Sequence, residues 1–151
     1  MTNEYDDIVR REIVTTRVLD APRALVFESW TDPEQLKVWW GPHGFSNTFH
    51  HFDLKPGGAW RYTMHGPDGT NYENEMEFVE IAEARIVIDH MTSPRFRLTV
   101  LLEELGERTK ITFRQFFETS AVRDAVKRFA VQGNEDNLER LATFVAKKQA
   151  A

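Results

Sequence analysis

The middle of the chain alternates between apolar and polar residues. In residues 72–82, Tyr72, Asn74, Met76 and Phe78 alternate with glutamates, a pattern typical of a strand with one buried and one hydrated face. Similar rows recur between turns that contain glycine. The pattern therefore predicts six consecutive strands between Phe45 and Phe117, with a bulge in the segment Phe45–Lys55.

Three helices are predicted outside this run. A strand at residues 13–19 is followed by two short helices, one starting at Pro22 or Arg23 and one with Pro33 at its first position. A long helix is predicted from Thr119 or Ser120 to about Lys148. Its apolar stripe comprises Val122, Val126, Phe129, Ala130, Gly133, Leu138, Leu141, Phe144 and Val145.

These elements predict an α+β fold. A curved antiparallel sheet of about seven strands would surround the long C-terminal helix, because that helix is the only long amphipathic element able to cover the sheet. The first strand would pair with the far edge. We expect residues 1–10 to form a flexible N-terminal tail and residues 11–151 a single domain. A straight helix against a curved sheet leaves a gap, where we expect a ligand cavity of about 300–1,000 Å³.

The inward faces supply candidate ligand-binding residues. Asn74, His90 and Gln115 are polar within apolar rows, so they either bond one another and the backbone or contact a ligand. The aromatic members either pack as plain core or line a pocket. The full candidate set is Trp40, Trp60, Tyr62, Asn74, Met76, Phe78, His90, Phe96, Phe113, Gln115 and Phe129.

The remaining polar residues predict no metal site or cofactor, and the catalytic residues stay unidentified. Neighbours on a strand point to opposite faces, so His50 and His51 are not expected to ligate one metal together. With His43 and His65 they match no recognised ligand spacing. The serines fit no nucleophile motif.

Composition narrows the classes of partner. The 151 residues include no cysteine and carry a net charge of −5, which excludes disulfides and a thiol nucleophile. Basic residues are scattered among acidic ones, which argues against nucleic acid and anionic membranes as partners. The sequence predicts neither a signal peptide nor an apolar run of about 20 residues, so we expect a cytoplasmic protein. A homodimer is compatible with the sequence.

Several motifs resemble one family. Trp30-Thr31-Asp32-Pro33, Trp39-Trp40-Gly41-Pro42, Pro56-Gly57-Gly58 and Asn137-Leu138-Glu139-Arg140-Leu141 are similar to the activator of heat-shock protein 90 ATPase homologue family. Ala21-Pro22, Val26-Phe27, Glu80-Ile81 and Arg85-Ile86-Val87 add to the resemblance. This family lies within the superfamily of lipid-transfer (START) domains, polyketide cyclases and the birch-pollen allergen. The resemblance implies the helix-grip fold and a hydrophobic tunnel between helix and sheet.

Three functions follow as hypotheses. The first is binding of a small apolar or aromatic molecule in the cavity. The second is a cyclase- or hydratase-type enzyme that uses the same pocket, with His90 as acid and base. The third is a protein-interaction module like the co-chaperones of the family. It is disfavoured because the eukaryotic co-chaperones carry an additional N-terminal domain, for which we expect no room in this chain.

Overall fold

The computed structural model describes residues 4–150 and consists of one sheet and four helices within that range. The strands are β1 (Glu12–Leu19), β2 (Ser46–Phe52), β3 (Ala59–His65), β4 (Asn71–Ala82), β5 (Arg85–His90), β6 (Phe96–Leu105) and β7 (Arg108–Phe117). The helices are α1 (Glu4–Arg11), α2 (Arg23–Thr31), α3 (Pro33–Trp39) and α4 (Ser120–Ala150). The predicted α+β helix-grip fold is confirmed.

Every neighbouring pair of strands in the sheet is antiparallel. The order is β1-β7-β6-β5-β4-β3-β2, so six strands follow one another as hairpins and β1 closes the far edge against β7, as predicted. The register places Thr15 opposite Phe113, and Met76 opposite His90. Since residues directly opposite each other share a face, the predicted inward rows form one concave surface.

The predicted bulge lies in β2, which is shorter than the expected segment Phe45–Lys55. Phe49 is opposite Tyr62, whereas His51 is opposite Arg61, so His50 is the extra residue. An extra residue shifts the alternation of faces by one position. Phe49 and Phe52 consequently both point into the core, and their rings stack with centroids 5.9 Å apart.

Side-chain caps mark the starts of α3 and α4. Asp32 Oδ1 accepts a hydrogen bond from the backbone N–H of Glu34 at 3.0 Å, next to Pro33 at the first helical position of α3. Thr119 Oγ1 accepts from the N–H of Val122 at 3.1 Å at the start of α4. Both satisfy backbone donors that a helix leaves unpaired in its first turn.

The N-terminal segment differs from the prediction. Residues 4–11 form α1 where a flexible tail was expected, while residues 1–3 lie outside the described residues. Acidic residues occupy its first turn and basic residues its last, which complements the helix dipole. Asp7 and Arg11 form an ion pair at 3.2 Å, and Arg11 Nε donates to the carbonyl of Phe117 at 2.9 Å. The ion pair lies within α1, and the bond from Arg11 to Phe117 attaches the helix to β7, although none of its residues is buried.

The core is rich in rings at the end of the sheet that α2 and α3 cover. The four tryptophans form a continuous cluster, with ring centroids 4.9 Å apart for Trp30 and Trp39, 5.4 Å for Trp30 and Trp40, and 5.3 Å for Trp40 and Trp60. Edge-to-face and tilted contacts of this kind add to the energy of simple burial. The cluster forms a dense end wall for the space between sheet and helix.

The long helix α4 packs mainly against β1, β7 and the other three helices. Its buried side chains are Asn137, Leu138, Leu141 and Val145, all beyond residue 136. The part of α4 before Asn137 stands over the concave face without a buried side chain. Within residues 4–150, no helix combines the length and apolar character needed to cross a membrane.

Candidate functional site

A cavity of about 420 Å³ lies between the concave face of the sheet and the first part of α4. This volume is within the range of about 300–1,000 Å³ typical of ligand pockets. The lining residues are Trp40, Gly41, Pro42, Tyr62, Met64, Asn74, Met76, His90, Pro94, Phe96, Leu98, Phe113, Gln115, Phe117, Val126, Phe129, Ala130, Gly133, Asn134 and Asn137. None of these is Asp, Glu, Lys or Arg, so the lining carries no permanent charge.

Most of the candidate residues from the sequence come together here. The cavity is lined by Trp40, Tyr62, Asn74, Met76, His90, Phe96, Phe113, Gln115 and Phe129. Their role in binding stays a prediction.

Trp60 and Phe78 lie elsewhere, contrary to the expectation that they form walls. Both are buried behind other rings: Trp40 and Phe49 cover Trp60 at centroid distances of 5.3 Å each, and Phe52 covers Phe78 at 5.4 Å. Alternation correctly placed them on the inner face of the sheet. It did not reveal that rings from β2 and the loop after α3 fill the space above them.

Phe129 also differs from the prediction. Its side chain is 78% exposed, although it was expected among the inward rings. It lines the outer rim of the cavity together with Val126 and Ala130 of the same helix. Because α4 stands away from the sheet at this point, a position on its inner face is not a buried position.

Tyr62 and Trp40 form a hydrogen bond at the deep end of the cavity. The indole N–H of Trp40 donates to the hydroxyl oxygen of Tyr62 at 3.1 Å. Tyr62 is only 2% exposed, and this burial raises the pKa of its hydroxyl well above its usual range. The hydroxyl therefore keeps its proton at every physiological pH.

His90, at the end of β5, has polar groups within hydrogen-bond distance of both ring nitrogens. Its Nδ1 lies 2.8 Å from the carbonyl of Pro94, so this nitrogen holds a proton and donates it. Its Nε2 lies 2.9 Å from Asn74 Oδ1 and 3.2 Å from the hydroxyl of Thr92. Burial lowers the pKa of His90 below its ordinary 6.5, opposed by hydrogen bonds to the backbone of Pro94 and Thr92. The ring is thus neutral at pH 7 with its proton on Nδ1, so Nε2 accepts from the hydroxyl of Thr92, whereas Asn74 Oδ1 is itself an acceptor and has no proton to donate to Nε2.

Gln115 meets the helix across the cavity. Asn134 Nδ2 donates to Gln115 Oε1 at 2.7 Å, and Asn137 Nδ2 donates to the carbonyl of Trp39 at 3.1 Å. The two asparagines are site residues that the sequence analysis missed. They could have been found, because Asn134 and Asn137 lie three residues apart within the apolar stripe of α4, where polar residues need partners.

The other missed lining residues divide into two groups. Met64, Leu98, Phe117, Val126, Ala130 and Gly133 lie on inward rows or on the stripe but were not selected. Gly41, Pro42 and Pro94 lie in loops. Loops have no periodic pattern, so no signal in the sequence indicated their position.

Arg140 fixes the loop that forms one rim. Its Nη1 donates to the carbonyls of Trp40, Gly41 and Pro42 at 2.9–3.0 Å, and its Nη2 to that of Val38 at 2.8 Å. Gly41 has φ +101°, a backbone conformation that residues with a Cβ rarely adopt, and a Cβ there would also displace the flexible end of Met64, 2.6 Å away. Glycine is therefore required for the turn that brings this loop to the cavity.

The neighbouring histidines lie on the outer face of the sheet. His50 Nε2 is 2.7 Å from the hydroxyl of Thr63, which donates to Glu73 Oε1 at 2.8 Å. Because of the bulge, His51 shares this face with His50 and both line one surface cleft. The premise that they point to opposite faces was wrong. Within residues 4–150, no group of three or more potential ligands is arranged to hold a metal ion.

Comparison with known proteins agrees with this architecture. Residues 20–146 match the family model described as Activator of Hsp90 ATPase homolog 1-like protein. A crystal structure of a protein from Nitrosomonas europaea is similar with a TM-score of 0.86 at 23% identity, covering 94% of this chain and 98% of that one. A solution structure from Arthrobacter aurescens gives 0.86 at 26% identity, covering 93% and 89%.

A more distant structure carries the family name itself. The AHSA1 protein from Silicibacter pomeroyi is similar with a TM-score of 0.72 at 18% identity, covering 91% of this chain and 99% of that one. No curated protein matches the chain in sequence. The family model spans well over half of the sequence, and the chain belongs to the Activator of Hsp90 ATPase homolog 1-like family.

Proposed function

We propose that the protein binds a small apolar or aromatic molecule in the cavity between the sheet and α4. One observation carries this proposal: a space of about 420 Å³ is bounded by rings, methionines and amides, without a permanent charge. Such a surface gains free energy when an apolar molecule replaces the water in contact with it. A cavity that served only packing would be expected to be filled by side chains, as the tryptophan cluster is.

A pair of variants tests the location. Ala130 is half-buried and lines the cavity, whereas the adjacent Val131 is 39% exposed and does not. We expect Ala130→Phe to fill the cavity from above and abolish binding, while Val131→Phe leaves it unchanged. Both variants add a similar ring to the same helix, so a general effect on helix stability would appear in both.

The measurement is ligand-induced stabilisation. Native mass spectrometry of freshly purified protein identifies any retained small molecule, and 2-ethylnaphthalene serves as an apolar probe. A ligand at a hundredfold excess over its Kd stabilises the folded state by about 2.7 kcal/mol. Equal stabilisation of wild type and Ala130→Phe would show that the molecule binds elsewhere, and no stabilisation of wild type would contradict the proposal.

A cyclase- or hydratase-type enzyme is the alternative, favoured by His90 alone. This histidine is neutral, 8% exposed and part of the cavity wall, and its tautomer is fixed by the carbonyl of Pro94. A ring held in this way can accept a proton at Nε2. Turnover of a bound molecule that disappears in His90→Gln, with binding retained, would support catalysis. Binding without turnover in wild type would exclude it for that molecule.

A further inference from the structure

The hydroxyl of Tyr62 has an unused proton. Its oxygen already accepts the indole N–H of Trp40 at 3.1 Å, and an indole can only donate. The proton of Tyr62 must therefore point to a different partner. None of the hydrogen bonds recorded among residues 4–150 provides one, although Tyr62 is 2% exposed and lines the cavity.

When an apolar molecule displaces the water from the cavity, this buried donor is left without an acceptor, which is unfavourable. The burial that raises the pKa of Tyr62 also keeps the proton in place. A molecule in the cavity that offers a hydrogen-bond acceptor at this point would restore the missing bond. The Tyr62 hydroxyl is thus a donor that an occupant of the cavity can pair.

The charge of the occupant is restricted by the rest of the lining. Neither a cationic nor an anionic side chain is among the lining residues, and His90 is neutral at pH 7. A carboxylate or ammonium group placed here would lose its hydration without gaining an opposite charge. An uncharged acceptor, such as a carbonyl oxygen, meets no such penalty.

A second donor lies on the helix side of the cavity. Gln115 is 8% exposed, and its Oε1 accepts from Asn134 at 2.7 Å. Its side-chain NH₂ group has no recorded partner among the described residues. Unpaired donors at both the deep end and the helix side favour an occupant that carries acceptor atoms.

We propose that the cavity selects an uncharged aromatic molecule with an acceptor oxygen, an aryl ketone being the simplest case, and that Tyr62 donates to that oxygen. The aromatic part would lie among Phe96, Phe113 and Phe117, whose rings contribute to the wall. This inference rests on the proposed function, since it names the chemistry of the molecule in the same cavity.

Three probes of nearly equal shape test it by equilibrium dialysis. They are 2-acetylnaphthalene, 2-ethylnaphthalene and 2-naphthoate, which place a ketone, an ethyl group and a carboxylate at the same position. In wild type we expect the ketone to bind about 3- to 10-fold more tightly than the hydrocarbon, the usual net effect of one hydrogen bond. The carboxylate should bind most weakly of the three.

Tyr62→Phe should remove the preference for the ketone and leave the affinity for the hydrocarbon unchanged or slightly higher. Tyr72→Phe is the matched control, because Tyr72 is 46% exposed and does not line the cavity. An infrared measurement on wild type covers the case in which Tyr62→Phe does not fold. The carbonyl stretch of bound ¹³C-labelled ketone should lie below its position in an alkane solvent.

The outcomes separate the inference from the function on which it rests. If no probe binds wild type, the proposed function fails and the inference with it. If ketone and hydrocarbon bind equally to wild type, or if the carbonyl stretch matches that in alkane, the cavity binds apolar molecules but Tyr62 does not select them. If the carboxylate binds best, the requirement for an uncharged molecule is wrong.

Discussion

The two halves of α4 differ although they form one uninterrupted helix. The first half, residues 120–136, has no buried side chain and stands over the cavity. The second half, residues 137–150, buries Asn137, Leu138, Leu141 and Val145, and it holds the loop after α3 through Arg140. The second half therefore contributes to the stability of the core, whereas the first half bounds a space that the protein leaves unfilled.

The two halves of α4 therefore meet two different requirements, which are close packing of the core and an open cavity. A residue that closes a core must match its neighbours closely, whereas a residue that lines a cavity can vary in size without loss of core packing. Changes in the first half should therefore alter binding more than stability, and changes in the second half the reverse.

The largest effect is expected from truncating the second half. Leu141 is completely buried, so Leu141→Ala should lower the free energy of unfolding by about 2–5 kcal/mol, because it removes apolar contacts and leaves a void. Val126→Ala in the first half should lower it by about 1 kcal/mol or less, since Val126 is only half-buried. Urea denaturation measures both. Similar losses at the two positions would contradict the division of the helix.

A smaller change, this time an increase in the free energy of unfolding, is expected from a substitution at Gly133 in the first half of α4. A Cβ at Gly133 would lie 3.6 Å from Pro42 Cγ, an ordinary contact. Gly133→Ala should therefore raise the free energy of unfolding by about 0.5–1 kcal/mol, because alanine loses less backbone entropy in a helix.

Gly41→Ala is the matched control for this change. It adds the same methyl group across the rim, but at φ +101° and against Met64. It should lower the free energy of unfolding. A loss of stability in Gly133→Ala would mean that the first half has no room near the loop.

The smallest effect concerns His90, which shares the cavity with the first half. Its pKa is lowered in the folded state, so the unfolded chain binds more protons as the pH falls through its ordinary 6.5. Its contribution to stability is therefore complete above pH 6.5 and is lost below it, as the pH approaches the folded value. Thermal unfolding between pH 7.5 and 5.5 should show this decline, and His90→Gln should reduce it. An unchanged decline in the variant would assign it to other groups.

Much of the fold could be predicted because the pattern of this sequence is regular. Alternation fixed which residues of β3 to β7 face inward, and caps such as Asp32 and Thr119 marked helix starts. The short helix α1 was missed because its charges suggested a hydrated tail. They also provide the pairing of Asp7 with Arg11 and a favourable order along the helix dipole.

The site was predicted less completely because periodicity gives the direction of a side chain and not its depth. Trp60 and Phe129 illustrate the two errors: one lies beneath other rings, and the other lies exposed on the outer rim of the cavity. Both depend on how far α4 and the loop after α3 stand from the sheet. That distance results from packing many residues at once, and no local pattern encodes it.

The tryptophan cluster has a consequence for spectroscopy. All four tryptophans of the chain lie in one series of ring contacts, with centroids 4.9–5.9 Å apart, and Trp40 is the member that lines the cavity. At such separations, the excitation energy absorbed by one indole can pass to a neighbouring indole before fluorescence is emitted. A molecule that enters the cavity and contacts Trp40 should therefore change the intrinsic fluorescence of the unmodified protein, so occupation of the cavity can be followed without a label.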